Sequence, residues 1–511
     1  MKRIADVGIT LVFASLMSEP LWAQQAAHVE KAKAVPSKPA VKVMPASQKL
    51  FGTLGIATKS VAVRQDLELA LSQYENAGFD DAILHTQSAT KKDPNFALAY
   101  AVWSFAARRT QAAPEALAKA KALKTKCAAD ECLLVQFLTG TQEANVLLAI
   151  AAMNDLLTRH PKDKHVLYLA GEWLFFQQDF EGAEKLWTSS LALDPKFPPA
   201  LNMLGYSYVE GLEPDPQKAI GYLRRYAQAL PDQPNPQDSL GEVLRIAGDD
   251  GGSLAHYAEA LRISPRYITS QYGRGDTYTL MGNYAQARAE YDKALKIATN
   301  SHDTLHIQFQ KALVHFWEGD VSGGQSELAT LSGKAAEQKD ASARYEIDYA
   351  RALLSTDAAG ELKILQTLEG VLTESAAGMT EAERNAALAN VLREEVRLAV
   401  ITHRTKDAEA VVQKLEHRAA ESRDLLVESS YESSRGYLLA VNGDLASAAD
   451  QLAGDLHAPL AVQQLILIQE KLGNTQAAEK AQNRLKYLRT PTAEWYLVTK
   501  KNGVSAQLIS Q

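Results

Sequence analysis

His302 and His306 stand four residues apart, a spacing that puts both imidazoles on one helical face where they could share a metal ion. The glutamate that a zinc-protease helix carries between its histidines is missing, so the pair reads as a solvated helix start. Gly205-Tyr206-Ser207-Tyr208-Val209 approximates a nucleophile elbow but lacks the second glycine. Gly273-Arg274-Gly275 lacks the third glycine of a dinucleotide fingerprint, and no strand precedes it. Arg274-Gly275-Asp276 spells an adhesion tripeptide, but it falls inside a helix rather than on a loop. Cys127 and Cys132 are the two cysteines. Across a tight turn between helices their sulfurs can bond in an oxidising compartment. The alternative is two small buried thiols. No catalytic constellation emerges, so the expectation is a non-enzymatic chain with no cofactor and no metal site.

The elements that carry these residues recur. Gly171, Gly205, Gly241 and Gly275 lie at steps of 34, 36 and 34. Ala183, Ala219, Ser253 and Ala287 follow them as a second small residue, and Pro195, Pro231 and Pro265 close the units. Two helices of about 13 residues and two short turns make a unit of roughly 34. The small residues let the two helices of a pair approach closely, so Gly275 and Ala287 should face each other at a crossing. Gly282-Asn283 ends the first helix of the clearest unit. The frame extends upstream through Ala70, Ser104 and Phe137 with Ala82, Ala116 and Ala149. It extends downstream through Ala312 with Gly319-Asp320, then Gly436 with Ala448, then Gly473 with Ala478. About twelve helix pairs are expected between residues 61 and 490. Residues 330 to 430 keep the helical period but lose the glycines.

This pattern of small residue, aromatic, glycine turn, alanine, aromatic and closing proline resembles the tetratricopeptide repeat family, in a bacterial exported form. The resemblance implies an all-α, right-handed superhelical solenoid of antiparallel helix pairs. It also implies a protein–protein interaction scaffold that binds a partner segment in its concave groove. The alternative is a dedicated subunit of an envelope polymer-export, secretion or assembly machine. In that family the first helix of each pair lines the groove. The matching positions here are Tyr168 and Glu172, Asn202 and Tyr206, Asp238 and Glu242, and Tyr272 and Asp276, with Phe176, Glu210 and Arg245 further along. The basic set that clamps a peptide carboxylate in some relatives is absent. Alternating aromatic and acidic side chains instead suit a basic and apolar segment. On this reading Glu242 and Asp276 are solvent-exposed.

Composition and chain ends add limits. At 511 residues the chain exceeds one ordinary core, a limit that a stack of repeats removes. Lys2 and Arg3, an apolar run from Val7 to Met17 and Ala23 read as a signal peptide over 1–23. That run is too short to span a bilayer, so no transmembrane span is expected in the mature chain. The localisation expected is periplasmic or secreted. Residues 24–60 read as a flexible linker rich in Ala, Pro and Lys. Five lysines against one glutamate give 24–50 a charge of +4, residues 1–23 balance, and the body therefore carries −11 of the chain's −7. An acidic body without a basic cluster excludes nucleic acid. The domains expected are a repeat solenoid over 61–330, divergent helical repeats over 331–430, C-terminal repeats over 431–490 and a tail over 491–511.

The mass of the intact native protein checks two expectations at once. It should lack residues 1–23, and it should take up no alkylating reagent at Cys127 or Cys132 until reduced.

Overall fold

A residue in the left-handed conformation followed at once by aspartate closes one helix and opens the next. Gly248 (φ 86°) precedes Asp249, whose carboxylate accepts from the Gly252 amide at 2.9 Å. The glycine tolerates the positive φ, and the aspartate caps a free N–H of the following helix. Asp179, Asp320 and Asp444 do the same after Gln178, Gly319 and Gly443. Such two-residue junctions hold adjacent helices antiparallel.

The structure is a computed structural model that describes residues 44–107, 112–211, 213–374 and 379–500. Within them lie twelve consecutive helix pairs and a last single helix. The first four pairs are α1 (Val61–Glu75) with α2 (Phe79–Lys92), α3 (Ala97–Ala106) with α4 (Ala113–Leu123), α5 (Ala129–Gln142) with α6 (Val146–Arg159), and α7 (Lys164–Phe176) with α8 (Phe180–Leu193). Next come α9 (Pro198–Glu210) with α10 (Pro216–Ala229), α11 (Asn235–Ala247) with α12 (Asp250–Ile263), α13 (Ile268–Leu280) with α14 (Tyr284–Ile297), and α15 (Ser301–Glu318) with α16 (Val321–Glu337). The last are α17 (Ala341–Leu353) with α18 (Ala358–Glu374), α19 (Glu381–Ile401) with α20 (Thr405–Ser422), α21 (Leu425–Val441) with α22 (Leu445–Leu452), α23 (Pro459–Lys471) with α24 (Thr475–Lys486), and then α25 (Ala493–Thr499). This is the all-α solenoid of helix pairs that the recurrence implied.

Several pairs turn on one close contact. A Cβ placed on Gly275 would lie 2.5 Å from the Tyr291 ring, and one on Gly171 would lie 2.5 Å from the Trp187 indole nitrogen. Gly241 stands in the same relation to Tyr257. The expected pairing of Gly275 with Ala287 is therefore corrected. The missing side chain makes room for the aromatic one turn beyond the alanine, while Ala287 is itself fully buried in the adjoining core.

Two departures concern segments expected to be irregular. The signal segment and the first part of the linker lie outside the described residues, as does the tail after 500. From residue 44 onward, however, the linker is folded. Strands β1 (Gln48–Leu50) and β2 (Leu54–Ile56) pair antiparallel around a turn in which Phe51 and Gly52 both have positive φ. That turn type matches the twist of a hairpin. Asp130 and Glu131, in the first turn of α5, accept from the amides of Gly55 and Ala57 at 2.9 and 2.8 Å. Leu50 and Ile56 are fully buried, and Phe51 stacks on His165 with ring centroids 3.8 Å apart. The expected tail is likewise folded over 493–499 as α25. The disulfide Cys127–Cys132, with its Cα atoms 5.3 Å apart, closes the turn before α5.

The divergent stretch continues the helix pairs with longer members. In α19 every residue from Ala387 to Val400 except Asn390 is buried, so the helix is packed on nearly all sides. It carries charge inside. Arg393 donates to Asp455 at 3.0 Å and to Glu494 at 3.1 Å, and Arg397 donates to Glu394 at 2.7 Å and reaches Glu361 at 3.4 Å. Burial and the neighbouring Glu394 push the Glu361 carboxyl up. Paired charges hold the interior of this stretch, where Gly333 and Gly370 lie in open space and make no close helix contact.

Gly275→Ala should destabilise the protein by ~1–3 kcal/mol, because Tyr291 is held by Asp276 and cannot yield. Gly221→Ala, on an exposed stretch of α10 with open space around it, should stabilise by ~0.5–1 kcal/mol through helix propensity. Urea denaturation midpoints at constant m-value separate the two.

Candidate functional site

The first helices of successive pairs, from α7 to α17, each touch the next, and α19 reaches α5. Two adjoining cavities result, of about 580 and 450 Å³. Tyr345, Glu346, Asn390 and Leu426 line both. The larger one is lined in part by charged side chains, Glu210, Glu242, Arg393, Asp455 and Arg484 among them. The smaller one is walled by aromatics, with Trp173 edge-on to Phe137 at 6.3 Å.

Of the eleven side chains assigned to the groove, four reach a cavity wall. Glu172 and Phe176 line the smaller cavity, and Glu210 and Glu242 the larger. The others are placed differently. Tyr168 is 2% exposed and packs edge-on against Phe197 of the next repeat at 6.0 Å, so it serves inter-repeat packing and not a foreign anchor. Tyr206 donates its hydroxyl to Glu242 at 2.8 Å. Tyr272 lies edge-on to His306 at 5.5 Å. Asn202 is half-buried and lines neither cavity.

Asp238 is buried and accepts from the Ser270 hydroxyl. Arg245, 3% exposed, reaches Glu242 at 3.3 Å. Asp276 is 7% exposed and accepts from Tyr291 at 2.7 Å, so the expectation that it faces solvent is corrected. Glu242 is half-buried rather than exposed. The physical reason is curvature: side chains that would face an open groove meet the next repeat or the returning C-terminal helices. His302 and His306 pair with Asp340 and Glu346 across repeats, at 2.9 and 3.2 Å. Among the described residues no cluster with metal-holding composition is present.

Burial sets the charge state of this interior. Asp238 is pushed up to about 7 by burial, against the opposing hydrogen bond from Ser270, with Glu242 raising it and Arg245 lowering it. Glu210 is pushed up to about 7 by burial and by Glu242, and Arg484 opposes. His457 is pushed down to about 3, first by burial and then by Arg484, and so stays neutral. Arg484 is 1% exposed and donates to the carbonyls of Leu456 and Val209 at 2.9 and 3.2 Å. Arg393, Asp455 and Arg484 had no part in the expected site. Their partners are remote in sequence, although charges inside the apolar period of α19 were a visible signal.

A carboxyl raised on folding binds its proton more tightly in the native state, so its contribution is full below about pH 4 and lost as pH rises through 7. Asp238→Asn should therefore be more stable than the natural chain by ~1–3 kcal/mol at pH 8 and not at pH 4.5. Thermal melts at the two pH values check this.

Residues 168–234 and 268–301 match family models described as tetratricopeptide repeat. Among curated proteins, Protein FlbA of Caulobacter vibrioides is 27% identical over 107 residues, which are 21% of this chain. The match spans 18% of that relative's length. Among solved structures, a tetratricopeptide repeat protein from Parabacteroides merdae is 14% identical, with a TM-score of 0.34, over 54% of this chain and 93% of that one. Yeast Tom70 is 12% identical, with a TM-score of 0.42, over 82% of this chain and 88% of that one. Residues 168–234 and 268–301 are thus identified as tetratricopeptide repeats, and the helix-pair frame they set runs from 61 to 486.

Proposed function

We propose that the chain is a non-enzymatic scaffold that holds a segment of another protein by anchoring its side chains in the smaller cavity. One observation carries this reading. The cavity brings Phe105, Phe137, Trp173 and Phe176 together with the carboxylates of Glu172 and Glu383. Phe176 keeps 52% of its surface exposed, unusual for an aromatic on an inner helix. Aromatic faces beside carboxylates favour a cationic group on an apolar stem, through cation–π and ionic attraction together. A space of about 450 Å³ accommodates a few such side chains and not a whole helix. The partner segment is therefore extended, basic and apolar. The chain acts outside the cytoplasm on this reading; the N-terminal signal pattern and the disulfide support that compartment.

Capture from native envelope extract, followed by affinity measurement with the captured partner, tests the proposal. Phe176→Ala should weaken binding by ~2 kcal/mol or more, as truncation of an aromatic anchor does. Leu84→Ala, exposed and away from both cavities, should leave it unchanged. Affinity should also fall with added salt. Undiminished binding by the Phe176 variant would refute the site.

A further inference from the structure

The inner face of the middle repeats already has an occupant, which is the end of the chain itself. Arg489, between α24 and α25, donates to both carboxylate oxygens of Asp250, at 2.7 and 2.9 Å, and to the carbonyl of Arg245 at 2.6 Å. Tyr496, on α25, stands edge-on to Phe316 and Trp317, with centroids 6.2 and 5.3 Å away. Glu494 accepts from Tyr349 at 3.2 Å and from Arg393 at 3.1 Å. The occupying stretch is arginine- and aromatic-bearing: Tyr487, Arg489, Trp495 and Tyr496. That is the ligand chemistry an acidic aromatic inner face selects.

Two features make this stretch separable from the wall it covers. Helix α25 has seven residues, too few to persist as a helix unaided, and Ala493 is its one buried residue. The Arg489–Asp250 pair lies at the rim, with side chains 18% and 21% exposed. Charge-assisted, two-armed contacts of this kind hold firmly but re-form equally well with another arginine.

We propose that residues 487–500 are a removable strap, an intramolecular occupant whose site is taken by an arginine- and aromatic-bearing segment of a partner protein. The Asp250 carboxylate and Arg245 carbonyl receive the arginine, and the Phe316–Trp317 shelf receives the aromatic ring. The partner rests on the scaffold reading; release of the strap is a property of this chain alone.

Hydrogen exchange of the full chain, with and without Arg489→Ala, tests the release. A labelled synthetic peptide of residues 484–500 added in trans tests the site. Amides of 493–499 should exchange at least ~100-fold faster than those of α23, as a locally opening segment does. Arg489→Ala should speed them further while leaving the melting midpoint in place. The variant should bind the peptide ~10-fold more tightly than the natural chain, and Asp250→Asn added to it should abolish that gain. Strap amides that exchange in step with α23 would make the segment an integral part of the fold and overturn the proposal. Equal peptide binding by all three chains would overturn it as well. Release of the strap with partner capture indifferent to Phe176→Ala would keep this inference and remove the scaffold site instead.

Discussion

A backbone stripped of its side chain, with a large ring or branched chain laid against it, is the contact on which the rest of this molecule depends. Gly171 beneath Trp187, Gly205 beneath Leu223 and Gly275 beneath Tyr291 set how closely the two helices of a pair approach. Repetition of that approach sets the curvature of the stack. Curvature then decides what the inner helices meet. Here they meet each other and the returning chain, and the expected open groove becomes two adjoining cavities.

Enclosure changes the chemistry of the residues it covers. Asp238, Glu210 and Asp276 would be a negative surface in an open groove. Asp238 and Asp276 are instead buried and hydrogen-bonded by Ser270 and Tyr291, Glu210 is half-buried, and burial raises all three toward neutrality. The interior charge that remains is paired, as Arg397 is with Glu361 and Glu394. Leaving one partner of such a pair alone is costly, so these contacts fix which helices meet. The aromatic cavity beside α7 keeps the exposed ring and the carboxylates that a basic, apolar ligand would use.

Much of the fold was legible because the repeat is local. Gly282-Asn283 and Gly319-Asp320 announce their turns, and the small residues mark their crossings, all within one unit's length. What stayed hidden depends on contacts between distant units. Nothing near Arg489 signals Asp250, 239 residues earlier, and nothing near Arg484 signals the carbonyl of Val209. The hairpin at 48–56 was masked by its lysine- and proline-rich approach, and its carboxylate partners lie on α5. For the site, local spacing places the candidate residues on the first helices of their pairs. It does not tell how far each is covered, because Tyr168 and Asp238 meet the next repeat.

The contact of α19 with α5 alters how such a chain should come apart. In an open stack each unit leans only on its neighbours, so ends fray and units add or drop out independently. Here Gln177 meets the Leu425 amide at 3.3 Å, Glu213 meets Lys480 at 2.9 Å, and Val209 meets Arg484. These bonds close a loop through more than two hundred residues, turning a one-dimensional chain of neighbours into a ring. The closed stretch from α7 to α24 has no end of its own from which to unzip, unlike the pairs before it and the strap after it. Excising a middle unit would throw every one of these closures out of register together, so the independence of units in an open array is forfeited.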